Sequence, residues 1–150
     1  MAEKFDNIEV FEDKKLSDVF SDVYANASNN RIRIDELIDQ LKPLIVDMDS
    51  ALIMVPLIKD YLDTSIKNDD LLNKMSTIVA RIVTANRIGP NAGGDVNSLL
   101  SDADKELIEQ IATEEQEIEQ EKTKLEKETE KIKTEDNLWK NYAKEETKES

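Results

Sequence analysis

The sequence predicts an all-α protein: a small bundle of amphipathic helices with a central αα-hairpin, followed by a long, charged, coiled-coil-like C-terminal helix. Three observations carry this reading. Apolar residues between Leu16 and Val83 recur at the i, i+3, i+4, i+7 spacing that lines one face of a helix. All three glycines and one of the three prolines are gathered in Ile88-Gly89-Pro90-Asn91-Ala92-Gly93-Gly94-Asp95, a stretch that interrupts regular structure. Beyond it the chain is dominated by Glu and Lys, with an apolar residue at every seventh position.

Taken in order, residues 1–12 read as a flexible acidic arm and 13–88 as a helical core. The first stripe is Leu16, Val19, Phe20, Val23, Tyr24 and Ala27. Ala27-Ser28-Asn29-Asn30 is expected to end it, because Ser and Asn side chains compete with the helix for its own backbone bonds. A second helix from near Arg31 carries Ile34, Leu37, Ile38, Leu41, Leu44, Ile45 and Met48, with a kink at Pro43, which lacks an N–H and crowds the preceding turn. Asp47, Asp49 and Ser50 offer caps for a third helix with Leu52, Val55, Ile58, Tyr61, Leu62 and Ile66, bent at Pro56. Lys67-Asn68-Asp69-Asp70 reads as a polar turn into a fourth, with Leu71, Leu72, Met75, Ile78, Val79, Ile82 and Val83. So short a turn makes helices three and four an αα-hairpin.

Residues 89–98 form the expected linker, 99–136 the long charged helix and 137–150 a charged tail. Ser101 with Asp104 three residues later has the spacing of a capping box. Ile111, Ile118, Leu125, Ile132 and Trp139 recur every seven residues, while the parallel line Leu107, Glu114, Glu121, Glu128, Glu135 is almost wholly acidic. A two-stranded coiled coil wants both lines apolar. The helix is therefore either solvated on its own, or one strip of a multi-helix rod, or laid on a partner, and the five apolar residues are the candidate helix-partner seam.

Composition excludes more than it assigns. The chain has no Cys and no His, which removes thiolate and imidazole metal sites and the Ser-His and Cys-His nucleophile pairs. Asp35 with Asp39, Asp60 with Asp63 and Asp69 with Asp70 are neighbouring carboxylates, but in a chain with 34 acidic residues such pairs arise by chance. No glycine-rich phosphate loop and no calcium loop is present. The expectation is no enzyme, no cofactor and no metal. The N-terminus lacks the apolar run of a signal peptide and no segment approaches a membrane span, so a cytoplasmic protein is expected (host cytoplasm for a viral one). A net charge of −14 opposes broad contact with nucleic acid or an anionic membrane. The four arginines, Arg31, Arg33, Arg81 and Arg87, nonetheless all lie in the apolar half and are the candidate nucleic-acid contacts.

Two segments, Asp60-Tyr61-Leu62-Asp63-Thr64-Ser65 before the polar turn and Ile78-Val79-Ala80-Arg81-Ile82-Val83-Thr84-Ala85-Asn86 after it, give the central hairpin a likeness. It resembles the core hairpin of small terminase subunits from T4-like tailed phages, over about a quarter of the chain. The turn is shorter here and lacks a Pro-Arg pair, and the Glu/Lys helix continues well beyond the hairpin. The resemblance implies a non-enzymatic, ring-forming partner of a packaging motor that helps engage viral DNA, with no catalytic residue. The first expectation is accordingly a homo-oligomeric helical assembly protein, in phage DNA packaging or virion assembly, touching another protein subunit and, weakly, DNA. The second is a monomeric acidic adaptor or regulator that binds one protein through the long helix and tail.

Overall fold

The computed structural model describes the backbone of residues 9–11, 14–88 and 100–146. Three helices make up nearly all of it: α1 (Leu16–Leu41), α2 (Met48–Ile88) and α3 (Asp102–Glu146), of 26, 41 and 45 residues. A 3₁₀ turn, Lys42–Leu44, follows α1. Before α1, strands β1 (Glu9–Phe11) and β2 (Lys14–Lys15) pair antiparallel with an irregularity in register. Part of the expected acidic arm is thus ordered backbone; residues 1–8 and 12–13 lie outside the described residues, as does the linker from 89 to 98.

Cross-helix bonds give the directions. Arg81 meets Asp104, Lys74 meets Glu114 and Lys67 meets Glu121, so α2 and α3 are antiparallel. Asn26 meets Glu115, Arg33 meets Glu126 and Gln40 meets Lys133, so α1 and α3 are parallel. The molecule is an up-down-up three-helix bundle.

The ends of the helices are written in the sequence. Asp18 accepts from the Lys15 N–H at the start of α1 (3.4 Å). Asp47 and Ser50 cap α2 reciprocally: Ser50 N–H donates to Asp47 Oδ1 (2.8 Å) and Asp47 N–H to Ser50 Oγ (3.0 Å). At α3 the expected box forms, with Asp104 N–H donating to Ser101 Oγ (3.2 Å) and Ser101 N–H to Asp104 Oδ2 (3.1 Å). Each arrangement satisfies amides that a helix start leaves without partners.

The central hairpin is not there. Residues 67–70 continue α2 without a break, and residues 27–30 likewise continue α1. The two tracts that look like turns meet each other instead. Buried Asn68 donates its Nδ2 to the Ala27 carbonyl (2.9 Å), and buried Asn30 accepts from Lys122 Nζ (2.7 Å). Asn30 and Asn68, which would have competed for their own backbone, are occupied by other helices. The effect at Pro43 also differs: α1 stops at Leu41 and Pro43 sits in the 3₁₀ turn, because its fixed φ and missing N–H suit a helix exit better than a kink.

The core is shared by all three helices. The inner seam of α2, namely Met54, Leu57, Tyr61, Thr64, Asn68, Leu71, Met75, Ile78 and Ile82, alternates steps of three and four, and all but Met75 are buried. Leu16, Val19, Val23, Leu71, Ile78, Ile82, Leu100, Ile108, Ile111 and Ile118 form one apolar cluster. Ile34, Leu37, Ile38, Leu41, Met54, Leu57, Tyr61 and Leu125 form the second. Between them lies a polar band of Asn30, Asn68 and Lys122. The long helix is therefore a wall of the core rather than an appendage to it, and it runs on to Glu146, through most of the expected tail.

Candidate functional site

The candidate helix-partner seam lies largely inside the molecule. Ile111, Ile118 and Leu125 are buried in the two clusters and Ile132 packs against the second. The helices covering it are the chain's own α1 and α2. Trp139, one heptad beyond Ile132, is 74% exposed, since α1 ends level with Lys133. The Tyr142 side chain lies outside the described residues.

The second line of the α3 seam is Ile108, Glu115, Lys122 and Thr129, one residue on from the acidic line visible in the sequence. Its polar members are each met from another helix: Glu115 by Asn26, Lys122 by Asn30, and Thr129 by the Tyr61 hydroxyl (2.8 Å). Burial pushes the Tyr61 phenol above its ordinary pKa. The acidic line itself serves the rim, with Glu114 on Lys74 (2.6 Å) and Glu121 on Lys67 (2.6 Å). That bond raises the Lys67 pKa.

The arginines do similar work. Arg33 Nε donates to Glu126 (2.8 Å), which raises its pKa, and Arg81 Nη1 donates to Asp104 (2.8 Å). Arg31 lies 3.8 Å from Asp69, beyond hydrogen-bond reach, and Asp69 Oδ1 is enclosed without a hydrogen bond. The Arg87 side chain lies outside the described residues. Arg31, Arg33 and Arg81 therefore each face a carboxylate of a neighbouring helix and do not converge on one patch. Of the carboxylate neighbours, Asp63 pairs with Lys59 and Asp39 with Lys42. Among the described residues no group of three His, Cys, Asp or Glu could hold a metal ion, and no helix is long and apolar enough to cross a membrane.

What remains is an apolar surface facing outward, where the periodicity predicts core. Met48, Leu52, Val55, Leu62 and Ile66 are 76, 68, 55, 50 and 60% exposed. With Lys59 they form a second line on α2, in steps of four, three, four, three and four. At 3.6 residues per turn this line lies about 170° round the helix from the buried seam. The helix is apolar on two opposite faces, and its own bundle covers one. Both faces carry helical periodicity; the one signal in the sequence for the covered face is the greater length of the line from Met54 to Ile82.

A comparison with protein-family models, with curated proteins and with solved structures finds no match to this chain.

Proposed function

We propose that this chain is a non-catalytic helical assembly protein, and that it works by joining copies of itself through the outer face of α2. The observation that carries the reading is the exposed stripe from Met48 to Ile66. Single exposed apolar residues are ordinary, but five at heptad spacing on one helix make a continuous strip, and such strips mark contact surfaces. The rest of the molecule is suited to hold that strip still. The opposite face of α2 is locked by the core and by ion pairs at Lys67, Lys74 and Arg81.

The hairpin on which the likeness to small terminase subunits stood is one helix, so a place in phage packaging or virion assembly rests on sequence segments alone. The arginines proposed for DNA lie against carboxylates in Arg31, Arg33 and Arg81, which favours a protein-only assembly over a DNA-binding one.

Light scattering tests the proposal. The expected result is a particle heavier than the 17.1 kDa chain at micromolar concentration. A 17.1 kDa particle at every concentration up to about 1 mM would overturn it and leave the adaptor reading, with Trp139 as the place to look for a partner.

A further inference from the structure

The spacing along the outer stripe carries more than its apolarity. Read forward from Met48, the steps to Leu52, Val55, Lys59, Leu62 and Ile66 are four, three, four, three and four; read backward from Ile66, they are the same. Any heptad line reads alike both ways, so the spacing admits either direction; an in-register parallel pair would set Lys59 against Lys59 of the second copy, and an antiparallel one avoids that. Two copies of α2 laid antiparallel, with the twofold axis level with Leu57, bring Met48 opposite Ile66, Leu52 opposite Leu62 and Val55 opposite Lys59 of the second copy. Antiparallel seams are built of such layers, each pairing the two kinds of seam position. The contact is isologous, so it closes at two subunits.

We propose that the partner of this face is a second copy of the same chain, held as an antiparallel dimer about that axis. This rests on the assembly reading above and gives it a geometry. The area is sufficient. Five large, half-exposed apolar side chains bury about 100 Å² each, hence about 1,000 Å² over two copies before flanking residues are added. Specific interfaces begin at about that size. Lys59 is the one polar member of the line. Its stem lies along the seam while its ammonium, 2.5 Å from Asp63, stays at the edge.

The flanks set the response to salt. On one side Ala51 comes opposite Ser65, and Ile58 opposite its own twin, all three half-buried in the single chain. On the other, exposed Asp49 comes opposite exposed Asp63 of the second copy, twice by symmetry. Each chain also carries a net charge of −14. Like charges repel over about 10 Å at 0.1 M salt and over less at higher salt. The dimer should therefore tighten as salt rises, the opposite of an assembly held by ion pairs.

Disulfide trapping tests the orientation, and the absence of native cysteine makes every bond attributable. Leu52→Cys and Leu62→Cys are prepared separately, since both positions are exposed and the substitutions leave the core intact. Oxidation of a 1:1 mixture should give mostly the mixed dimer, several-fold faster than either variant links alone, because like positions sit about 15 Å apart along the axis. Rapid linking of each variant with itself would show a parallel pair and overturn the inference while leaving assembly standing. A particle heavier than the monomer in which no combination links would place the contact elsewhere, which also overturns it. A strict monomer by light scattering would fell the assembly reading itself. Dissociation weakening at least several-fold between 50 and 500 mM salt is the second expected result, and a dimer that loosens as salt rises would contradict the flank assignment.

Discussion

Lys122 Nζ donates to Asn30 Oδ1 at 2.7 Å, tying α3 to α1 at the level where the apolar core is interrupted. The lysine side chain is 14% exposed, and its ammonium also touches Glu119 (2.7 Å). Such a bond does little for gross stability and much for alignment, since any slip of α3 along α1 leaves a half-buried charge facing Leu or Ile.

Asn30→Ala should cost about 1–3 kcal/mol in urea unfolding, because the lysine loses one of its two acceptors while still enclosed. Adding Lys122→Met should recover most of it. If the double variant is no more stable than the single one, the bond is not the source of the loss.

Beside the second apolar cluster, Thr129 donates its hydroxyl to the Leu125 carbonyl (2.9 Å), which leaves Tyr61 to donate to Thr129. Tyr61→Phe should cost about 1 kcal/mol and Tyr61→Ala about 3–5 kcal/mol, the larger figure being the cavity. Equal losses would show that the hydroxyl bond, not the ring, dominates.

The same residue responds to alkali. Burial favours the neutral phenol, so the folded pKa lies above the ordinary value of about 10. The stability this confers is complete below pH 10 and is lost as pH rises through the folded value. Tyrosinate absorbance should show Tyr61 ionising only above the ordinary range, together with loss of helix. Early ionisation of every tyrosine with the fold intact would contradict its burial.

Asp104 responds to acid. Hydrogen bonds from Ser101, then from Arg81, hold its carboxyl below the ordinary carboxylate range. The ionised form stabilises the fold at pH above about 4, and that contribution disappears as pH falls through the lower folded value. Asp104→Asn should therefore cost about 1–2 kcal/mol at pH 7 and much less near pH 2, read by denaturation at both. A loss independent of pH would assign the effect to shape alone. Because Arg81 holds this carboxylate, Arg81→Glu will loosen the start of α3, so a loss of DNA binding in that variant would not identify a contact.

The continuity of α2 can be measured directly. Spin labels attached through Asp49→Cys and Thr84→Cys, diluted with unlabelled chain, should lie about 52 Å apart, the length of 35 helical residues. The hairpin arrangement would bring them to about 10–20 Å, the spacing of packed helices.

By itself the sequence determined that the chain is helical, where its apolar stripes run and where α3 begins. These are local matters: periodicity follows from 3.6 residues per turn, and the Ser101–Asp104 box needs only its own four residues. Tertiary structure decided the rest. Ala27-Ser28-Asn29-Asn30 and Lys67-Asn68-Asp69-Asp70 disfavour helix by at most about 0.7 kcal/mol per residue, so about 2–3 kcal/mol per tract. Breaking α2 there would forfeit the Asn68–Ala27 bond and disconnect the seam from Tyr61 through Leu71 to Ile78, where each buried Leu or Ile is worth about 1.5–3 kcal/mol. The packing term is larger, so the helices run through. Packing also chose between the two apolar faces of α2. Periodicity treats both alike; only one of them runs from Met54 to Ile82, long enough to be covered by α1 and α3 together, and the other was left facing outward.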